Sequence, residues 1–362
     1  MSSVSEGRFT SSSVPSLTGA PLRTTLPTGD GVRIEAVYTP CTADSGAGGP
    51  GAAGRTAVVL AHGFTGAADR PALLRAARVF SQRAAVITFS FRGHGRSTGR
   101  STVGDREVLD LAAAVAWARS LGHRRVVTVG FSMGGSVVLR HAALYTARGA
   151  GEFFAEDGPA GAADRVEGRT TALGAHEGRA EAHGAQTAGG PARTGEEPAA
   201  PGERAGDEVA SSGERSGDEV AAPTDAWMNA YTDAVVAVSA PARWFYRGTA
   251  PMRRLHWVVT RPMGRVVGRL GFRTRIHRED WNPVPLSPVE AVPLITAPLL
   301  VVHGDRDPYF PLDHPRMLVE ASRGRADFWL ERGMGHAENA ADEELLTRIA
   351  DWTGPACSIM DS

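Results

Sequence analysis

A single serine stands where a valine-rich run gives way to a helical pattern, in the stretch VVTVGFSMGGSVVL. Ser132 is the central residue of Gly-Phe-Ser-Met-Gly, between Gly130 and Gly134. So tight a turn from strand to helix strains the serine backbone and projects its hydroxyl above the sheet. The glycines let the helix cross close to the strand, and the helix N-terminus directs partial positive charge at the hydroxyl. The pattern indicates that Ser132 is a nucleophile; the alternative is a serine that only caps the helix.

The same Gly-x-Ser-x-Gly pattern occurs a second time, with Ser97 at its centre. Gly95 and Gly99 bound this second copy, and the residues around it are typical of a loop on both sides. The pattern predicts neither a strand leading into Ser97 nor a helix following it. We therefore expect Ser97 to be a loop hydroxyl and not a nucleophile.

A serine hydroxyl attacks a carbonyl carbon only when a base takes its proton and a carboxylate orients that base. Both groups follow later predicted strands, in the order serine, aspartate, histidine. The stretch PLLVVHGDRDPYFP contains Asp305 and Asp307, and FWLERGMGHAE places His336 before the last predicted helix. We predict that Asp307 orients His336, whereas Asp305 holds its own turn through an Asx bond. The alternative for His336 is a solvated loop histidine.

The oxyanion that forms during acyl transfer needs backbone N–H donors. The residue after the nucleophile, Met133, supplies one of them. The loop after the first central strand, AHGFTG at 61–66, supplies the other, because its glycines let the backbone approach the substrate. We predict that this second donor is the N–H of Phe64.

Short apolar runs rich in β-branched residues alternate with helical patterns along most of the chain. The stretch PLRTTLPTGDGVRIEAVYTP predicts two strands joined as a hairpin at 28–31. Further strands are predicted at 56–62, 84–91, 124–130, 233–241, 298–304 and 326–333, and helices at 71–84, 106–122, 132–147 and 343–353. This alternation predicts an α/β fold whose mostly parallel, eight-stranded sheet is flanked by helices on both faces. The site is expected at the carboxyl ends of the strands.

The low-complexity segment 150–224 interrupts this pattern. It is rich in Ala, Gly, Glu, Asp, Arg and Pro, and its 15 acidic residues against 6 arginines give it a net charge of −9. Such a composition buries too little apolar surface to offset the entropy of ordering, so we predict a disordered insert. We also predict a disordered N-terminal tail at 1–20 and one domain formed by 21–149 and 225–354.

The residues after the predicted strand at 233–241 are strongly basic. Between Arg243 and Arg278 the sequence contains 10 arginines and no acidic residue. Apolar side chains that could line an acyl pocket lie in the same region, at Trp244, Phe245, Met252, Leu255, Trp257, Val258 and Met263. The alternative is that they only pack this region onto the sheet. The arginines form a solvated face, a dock for an anionic substrate or lipid surface, or a partner for the acidic insert.

Five motifs, in this order and spacing, resemble those of the α/β-hydrolase superfamily, and most closely its serine-aminopeptidase-like and esterase- or lipase-like bacterial branch. They are HGFTG, FRGHGRS, GFSMGG, HGDRDPYFP and GMGHAE, and the resemblance spans 21–353 apart from the insert. It implies Ser132 as the nucleophile, Asp307 as the acid, His336 as the base, and Phe64 and Met133 as the oxyanion donors. It also implies a structural role for the FRGHGRS loop and a small lid at about 241–290.

The resemblance implies acyl transfer to Ser132 followed by attack of water, with an ester, a thioester or a small amide as the substrate. Relatives that open epoxides or displace halide carry an aspartate at this position, so the serine argues against those reactions. An acyltransferase with the same residues and a non-catalytic binding protein of the same fold are the alternatives. No cofactor and no metal are expected, because the sequence has neither a dinucleotide-binding glycine motif nor a His-Glu-x-x-His pattern.

Composition argues against several classes of protein. A formal net charge of −1 gives no electrostatic case for binding nucleic acid. The two cysteines, Cys41 and Cys357, have no metal-ligand or redox spacing, as is typical of thiols in a reducing compartment. No apolar run reaches the ~18 residues of a membrane span. We expect a cytoplasmic protein that acts on a small acyl substrate, and peripheral contact with an anionic surface through the arginines stays open.

Overall fold

An eight-stranded sheet lies at the centre of the protein. The computed structural model describes residues 20–43, 56–146 and 229–354. The strand order is β1-β2-β4-β3-β5-β6-β7-β8. The strands are β1 (Leu22–Pro27), β2 (Arg33–Thr39), β3 (Thr56–Ala61), β4 (Ala85–Phe89), β5 (Arg125–Phe131), β6 (Ala234–Val238), β7 (Leu299–Gly304) and β8 (Ala326–Glu331). Each of them coincides with a run that the sequence predicted.

Antiparallel pairing is confined to the side of the sheet that contains β1 and β2. Strands β1 and β2 form the predicted hairpin, and β2 pairs antiparallel with β4. The pairings from β4 through β3, β5, β6 and β7 to β8 are all parallel. The prediction of a mostly parallel sheet is therefore confirmed, and the carboxyl ends of β3, β5, β6, β7 and β8 meet along one edge.

Helices flank the sheet on both faces. They are α1 (Pro71–Phe80), α2 (Glu107–Ser120), α3 (Met133–Leu144), α4 (Ala250–Thr260), α5 (Pro262–Gly271), α6 (Pro288–Ala291), α7 (Asp313–Ala321), α8 (Ala337–Ala340) and α9 (Glu343–Thr353). The sequence predicted α1, α2, α3 and α9. It did not predict α7, and it treated the region of α4 and α5 only as part of a lid.

Two apolar clusters, one on each face of the sheet, hold the layers together. Alternate residues of β3 belong to opposite clusters. Ala57 and Val59 belong to the cluster of α2 and α3, whereas Val58 and Leu60 belong to that of α1 and α9. Strands that are buried on both faces carry continuous apolar runs, which is why composition revealed them without an alternating pattern.

Several predictions concern residues that the structure does not describe. They are the predicted tail up to residue 19, the whole acidic insert at 150–224, and Cys357. Cys41 is described, and it is a buried free thiol. In the described part of the chain, every helix is too short or too polar to cross a membrane.

Candidate active site

Ser132 occupies a strained turn between β5 and α3, with φ 52° and ψ −115°. A residue other than glycine rarely adopts a positive φ, and the sequence predicted this strain. A Cβ atom on Gly130 would lie 2.2 Å from the carbonyl oxygen of Gly134. A Cβ atom on Gly134 would lie 2.2 Å from the carbonyl oxygen of Ala61. Because nothing larger than glycine fits, α3 crosses close to β3 and β5 and presents the serine at their ends.

The hydroxyl of Ser132 faces a histidine that follows β8. The Nε2 atom of His336 lies 2.8 Å from Oγ of Ser132, and its Nδ1 atom lies 2.7 Å from Oδ2 of Asp307. These side chains follow β5, β8 and β7, so three parallel strands deliver them to one edge of the sheet. The structure thus brings together, at hydrogen-bonding distances, the three residues that the sequence singled out.

Asp307 is held from two sides. Its side chain is fully buried, and its Oδ1 atom accepts hydrogen bonds from the N–H groups of Tyr309 at 2.8 Å and Phe310 at 3.1 Å. Burial would raise the pKa of Asp307, but the hydrogen bond and charge of His336, together with these N–H groups, lower it below its ordinary value. The resulting carboxylate favours a proton on Nδ1 of His336 and leaves Nε2 free to accept one from Ser132.

Asp305 makes a different contact from the predicted one. Its Oδ1 atom accepts a hydrogen bond from the N–H of Gly333 at 2.6 Å, in the loop that carries His336. The Asx bond expected of Asp305 is made instead by Asp307, to the N–H two residues further on. Asp305 therefore ties the loop after β7 to the loop after β8. No local pattern predicts that contact, because the partner is 28 residues away.

Aromatic rings and a second histidine fix the surroundings of His336. The ring of Tyr309 stacks on the imidazole of His336, with centroids 4.3 Å apart and 30° between the planes. Below the same loop, Nε2 of His303 in β7 donates to the carbonyl of Phe310 at 2.9 Å. Burial lowers the pKa of His303, so this ring is neutral and acts as a simple donor.

The predicted oxyanion donors, Phe64 and Met133, line the same cavity as Ser132. A residue to which the sequence analysis gave no role fixes the loop of Phe64. Glu338 is buried, and its Oε1 atom accepts a hydrogen bond from the N–H of Gly63 at 3.0 Å. Glu338 therefore couples the loop of Phe64 to the loop of His336. The sequence carried one signal for this role of Glu338, because Glu338 lies in the GMGHAE motif together with His336.

Two buried histidines contact the same loop. Nε2 of His94, in the FRGHGRS motif, is hydrogen-bonded to the carbonyl of Phe64. Nδ1 of His62 lies 2.6 Å from the carbonyl of Gly63, and its Nε2 atom accepts from the N–H of Phe91 at 3.0 Å. Burial lowers the pKa of both histidines below the ordinary value. Both histidines hold the loop through hydrogen bonds.

The rest of the FRGHGRS motif is also structural. The guanidinium of Arg92 lies 2.8 Å from Asp110 and 2.6 Å from Asp30. Burial would lower the pKa of Arg92, but the two carboxylates raise it above its ordinary value, so the side chain stays charged. Ser97 is buried in this loop, and its hydroxyl donates to the carbonyl of Ser90 at 2.5 Å. Ser97 is thus a loop hydroxyl, as the sequence predicted.

A cavity of about 750 Å³ opens beside Ser132. Four of the seven predicted pocket residues line it: Trp244, Phe245, Met252 and Leu255. The other three, Trp257, Val258 and Met263, are not part of the lining. Trp257 is 45% exposed and Met263 65%, whereas Val258 is buried.

Helical spacing explains where the side chains of α4 point. Met252, Leu255 and Val259 stand at intervals of three and four residues, and all of them line the cavity. Trp257 is two residues from both Leu255 and Val259, which places it about 200° around the helix from each of them and therefore on the opposite side. An amphipathic helix sorts its apolar residues between two surroundings in this way, which composition alone does not reveal.

The aromatic wall of the cavity is fixed by two indole N–H groups. Trp244 donates to the carbonyl of Pro285 at 2.8 Å, and Trp281 donates to that of Thr102 at 2.7 Å. The two indole rings lie 5.1 Å apart. Because both polar atoms are already bonded, the rings offer apolar surface to a ligand. Among the described residues, no group of three or more His, Cys, Asp or Glu is arranged to hold a metal ion.

Comparisons with known proteins agree with this architecture. Residues 56–150 match a family model described as the alpha/beta hydrolase fold. No curated protein matches this chain. An esterase from Pyrococcus furiosus superposes with a TM-score of 0.54 at 15% identity, covering 95% of this chain and 94% of the esterase. A second crystal form of that esterase gives 0.52 at 16% identity, covering 96% and 95%.

Identities this low establish the fold and leave the chemistry to the site itself. The strand order, the family match over β3 to α3 and the superposition along the chain all agree. The protein has the α/β-hydrolase fold.

Proposed function

We propose that the protein is a serine hydrolase that cleaves carboxylic esters through an acyl-enzyme on Ser132. The observation that carries this proposal is the continuous hydrogen-bonded path from Oγ of Ser132 through His336 to Asp307, with distances of 2.8 and 2.7 Å. The α/β-hydrolase fold, which is also that of the superposed esterase, supports a hydrolase in general. Thioesters and small amides would react by the same steps.

In the first half of the proposed reaction, Oγ of Ser132 attacks the acyl carbonyl carbon while its proton passes to Nε2 of His336. The carboxylate of Asp307 stabilises the imidazolium that forms. The carbonyl oxygen becomes an oxyanion and accepts hydrogen bonds from the N–H groups of Phe64 and Met133. The carbon–oxygen bond to the alcohol then breaks, and His336 returns its proton to the departing oxygen.

In the second half, a water molecule takes the place of the alcohol. His336 removes a proton from this water as its oxygen attacks the acyl carbon, and a second oxyanion forms in the same place. The bond to Oγ of Ser132 breaks, the serine regains its proton from His336, and the carboxylic acid leaves. Reactant and product differ by one water, so no redox partner is needed.

The cavity supports an acyl group of small to medium length as the substrate. Its aromatic and aliphatic lining includes Trp244, Phe245, Met252 and Leu255, next to Ser132. Apolar side chains with bonded polar atoms favour an acyl chain over a polar group at this position. The length of the chain that fits best is the property that the first experiment measures.

The test compares wild type with Ser132→Ala on chromogenic esters from acetate to decanoate. Loss of the nucleophile is expected to lower kcat/KM by about 10⁵-fold, since removal of such a serine disables the whole path. The control is Ser97→Ala, the serine of the second Gly-x-Ser-x-Gly pattern, which is expected to keep activity within about tenfold. A fluorophosphonate probe followed by mass spectrometry should label wild type on Ser132.

Two results would contradict the proposal. Equal ester cleavage by wild type and Ser132→Ala would show that another group reacts. Wild-type protein that neither cleaves any of the esters nor takes up the probe on Ser132 would exclude a serine hydrolase. Labelling of Ser132 without ester cleavage would keep the nucleophile and reject carboxylic esters as the substrate class.

A further inference from the structure

Helix α5 carries its large apolar side chains on the outside. Gly264 and Gly268 are its buried residues. Four large residues are exposed, at 65, 48, 41 and 76%: Met263, Val266, Val267 and Leu270. They stand at positions i, i+3, i+4 and i+7, which places them on one side of the helix. We call these four residues the outer stripe. A surface helix normally buries such a stripe against the core, whereas α5 turns it to solvent.

Close packing of the glycines imposes this orientation. A Cβ atom on Gly264 would lie 2.3 Å from the carbonyl oxygen of Trp257 and 2.7 Å from Cα of Val258. One on Gly268 would lie 3.2 Å from Cδ1 of Ile276. The glycine side of α5 therefore fits against α4 at backbone distance. Rotation of the helix to bury the outer stripe would force branched side chains into that space.

Free positive charge accompanies the outer stripe. Arg254, Arg261, Arg269 and Arg273 are exposed, and none of them forms an ion pair with another described residue. Arg265, in contrast, is used by the fold, because its guanidinium donates to the carbonyl of Val259 at 2.9 Å. Between Arg243 and Arg278 the sequence has no acidic residue, so α4 and α5 themselves supply no carboxylate to these arginines.

We propose that the outer stripe and its arginines dock the protein on an anionic lipid bilayer, with α5 lying in the plane of the interface. Apolar residues on one side of a short helix enter the boundary between head groups and acyl chains, and neighbouring cations bind anionic head groups. A lipid surface is the partner that offers both apolar depth and negative charge. This inference goes beyond the ester hydrolysis proposed above and does not depend on it.

Two other occupants fit this surface less well. A second copy of the chain, packed symmetrically on the outer stripe, would bring the arginines of both copies together. The acidic insert at 150–224 has the charge to pair with the arginines, but it contains few large apolar residues to cover Leu270 and Met263. A bilayer satisfies both requirements at once.

Docking would also set the orientation of the cavity. Helix α4 lines the cavity with Met252, Leu255 and Val259 and packs its backbone on α5. The lipid-facing helix is therefore one helix layer away from the cavity beside Ser132. A substrate leaving the bilayer would reach the cavity along the lid.

The experiment measures the partition of the full-length protein onto vesicles. Vesicles of phosphatidylcholine with phosphatidylglycerol are compared with pure phosphatidylcholine, at low and high salt. Binding is expected to need the anionic lipid and to weaken at high salt. Leu270→Glu should reduce binding at least about tenfold, and Arg269→Gln about fivefold, as expected for one arginine near the surface.

Matched controls separate this surface from nonspecific effects. Leu74→Glu makes the same change at an exposed leucine on α1. Arg124→Gln makes the same change at an exposed arginine just before β5. Both should bind within about twofold of wild type, because neither belongs to α5 or its arginines, whereas an arginine at the membrane surface changes binding by about fivefold. Failure of the full chain to bind anionic vesicles would overturn the proposal, as would equal losses in the controls. Self-association that Leu270→Glu abolishes, without vesicle binding, would show a protein interface instead.

Discussion

The carboxyl edge of the sheet and the predicted lid, which contains α4 and α5, are built in opposite ways. At the edge, His336 is bonded through both ring nitrogens, and Asp307 accepts from two N–H groups as well as from the imidazole. In the lid, exposed apolar side chains such as Leu270 stand on α5, which packs through glycine. The groups proposed to react are thus fixed by hydrogen bonds, whereas the surfaces that would meet a substrate or partner are formed by unbonded apolar side chains.

Because of this difference, we expect substitutions in the two regions to have different kinetic effects. A substitution at the edge disturbs atoms that must hold their positions within a fraction of an ångström, so it should act on turnover. A substitution in the lid alters the size or chemistry of a surface, so it should act on the choice of substrate and on KM. The predictions below test that separation, starting with the largest effect.

Asp307→Asn should lower kcat/KM by about 10³- to 10⁴-fold. An amide favours the wrong tautomer of His336 and no longer stabilises the imidazolium. The matched control is Asp305→Asn, two residues earlier, where the side chain accepts from the N–H of Gly333 and not from the imidazole, and where the amide oxygen keeps an acceptor for that N–H. Steady-state kinetics on one soluble ester should show less than about tenfold loss for the control. Equal losses in both variants would mean that loop position, and not the Asp307–His336 bond, limits the reaction.

Glu338 tests whether a bond at the edge acts through position alone. Glu338→Ala removes the acceptor for the N–H of Gly63. It should lower kcat about 10- to 100-fold with little change in KM, because the loop of Phe64, the proposed oxyanion donor, loses its support. Glu338→Gln keeps an acceptor oxygen and should stay within a few-fold of wild type in the same assay. A Gln variant as slow as the Ala variant would show that the charge of Glu338 matters more than its hydrogen bond.

Two tryptophans of the lid offer the reverse test. Trp244 lines the cavity, whereas Trp257 does not. Trp244→Ala should enlarge the acyl site and shift the best ester toward longer chains, with changes in kcat/KM of about 3- to 10-fold and nearly constant kcat on short esters. Trp257→Ala should leave the profile of chain lengths unchanged. If both variants shift the profile alike, the lid acts as one packed unit and not as a wall with two sides.

The same division governs what the sequence could predict. Ser132, Asp307 and His336 each follow a parallel strand closely. The order of the strands in the sheet therefore brings the three residues together once the strands are recognised. The glycine spacing around Ser132 also carries its own steric reason, which the backbone distances bear out. These features are local in sequence, and local patterns are what a single sequence reveals.

Contacts between distant loops were out of reach. The bond from Gly63 to Glu338 spans 275 residues, and the bond from Gly333 to Asp305 spans 28. In the predicted lid, the sequence does not distinguish Trp257 from Trp244. The rotation of α4 turns Trp257 away from the cavity, whereas Trp244 lies before this helix and lines the cavity. That rotation depends on the packing of Gly264 against Trp257, which no periodicity of α4 itself encodes.

The smallest expected effect concerns the stability of the protein in acid. His141, in α3, is fully buried, and burial lowers its pKa to about 3. Below about pH 6.5 the unfolded chain binds a proton at this histidine while the folded protein does not. The free energy of unfolding should therefore fall by up to about 1.4 kcal/mol per pH unit between about pH 6 and pH 4 because of this group.

His141→Phe should remove that contribution, so that denaturant unfolding at several pH values shows a flatter decline than wild type. The matched variant in the lid is His256→Phe. Burial also lowers the pKa of His256, but this ring is partly exposed and its contribution should be much smaller. A slope that changes with His256→Phe and not with His141→Phe would contradict this prediction, because it would show that His256, and not the buried His141, accounts for the difference in proton binding between the folded and the unfolded chain.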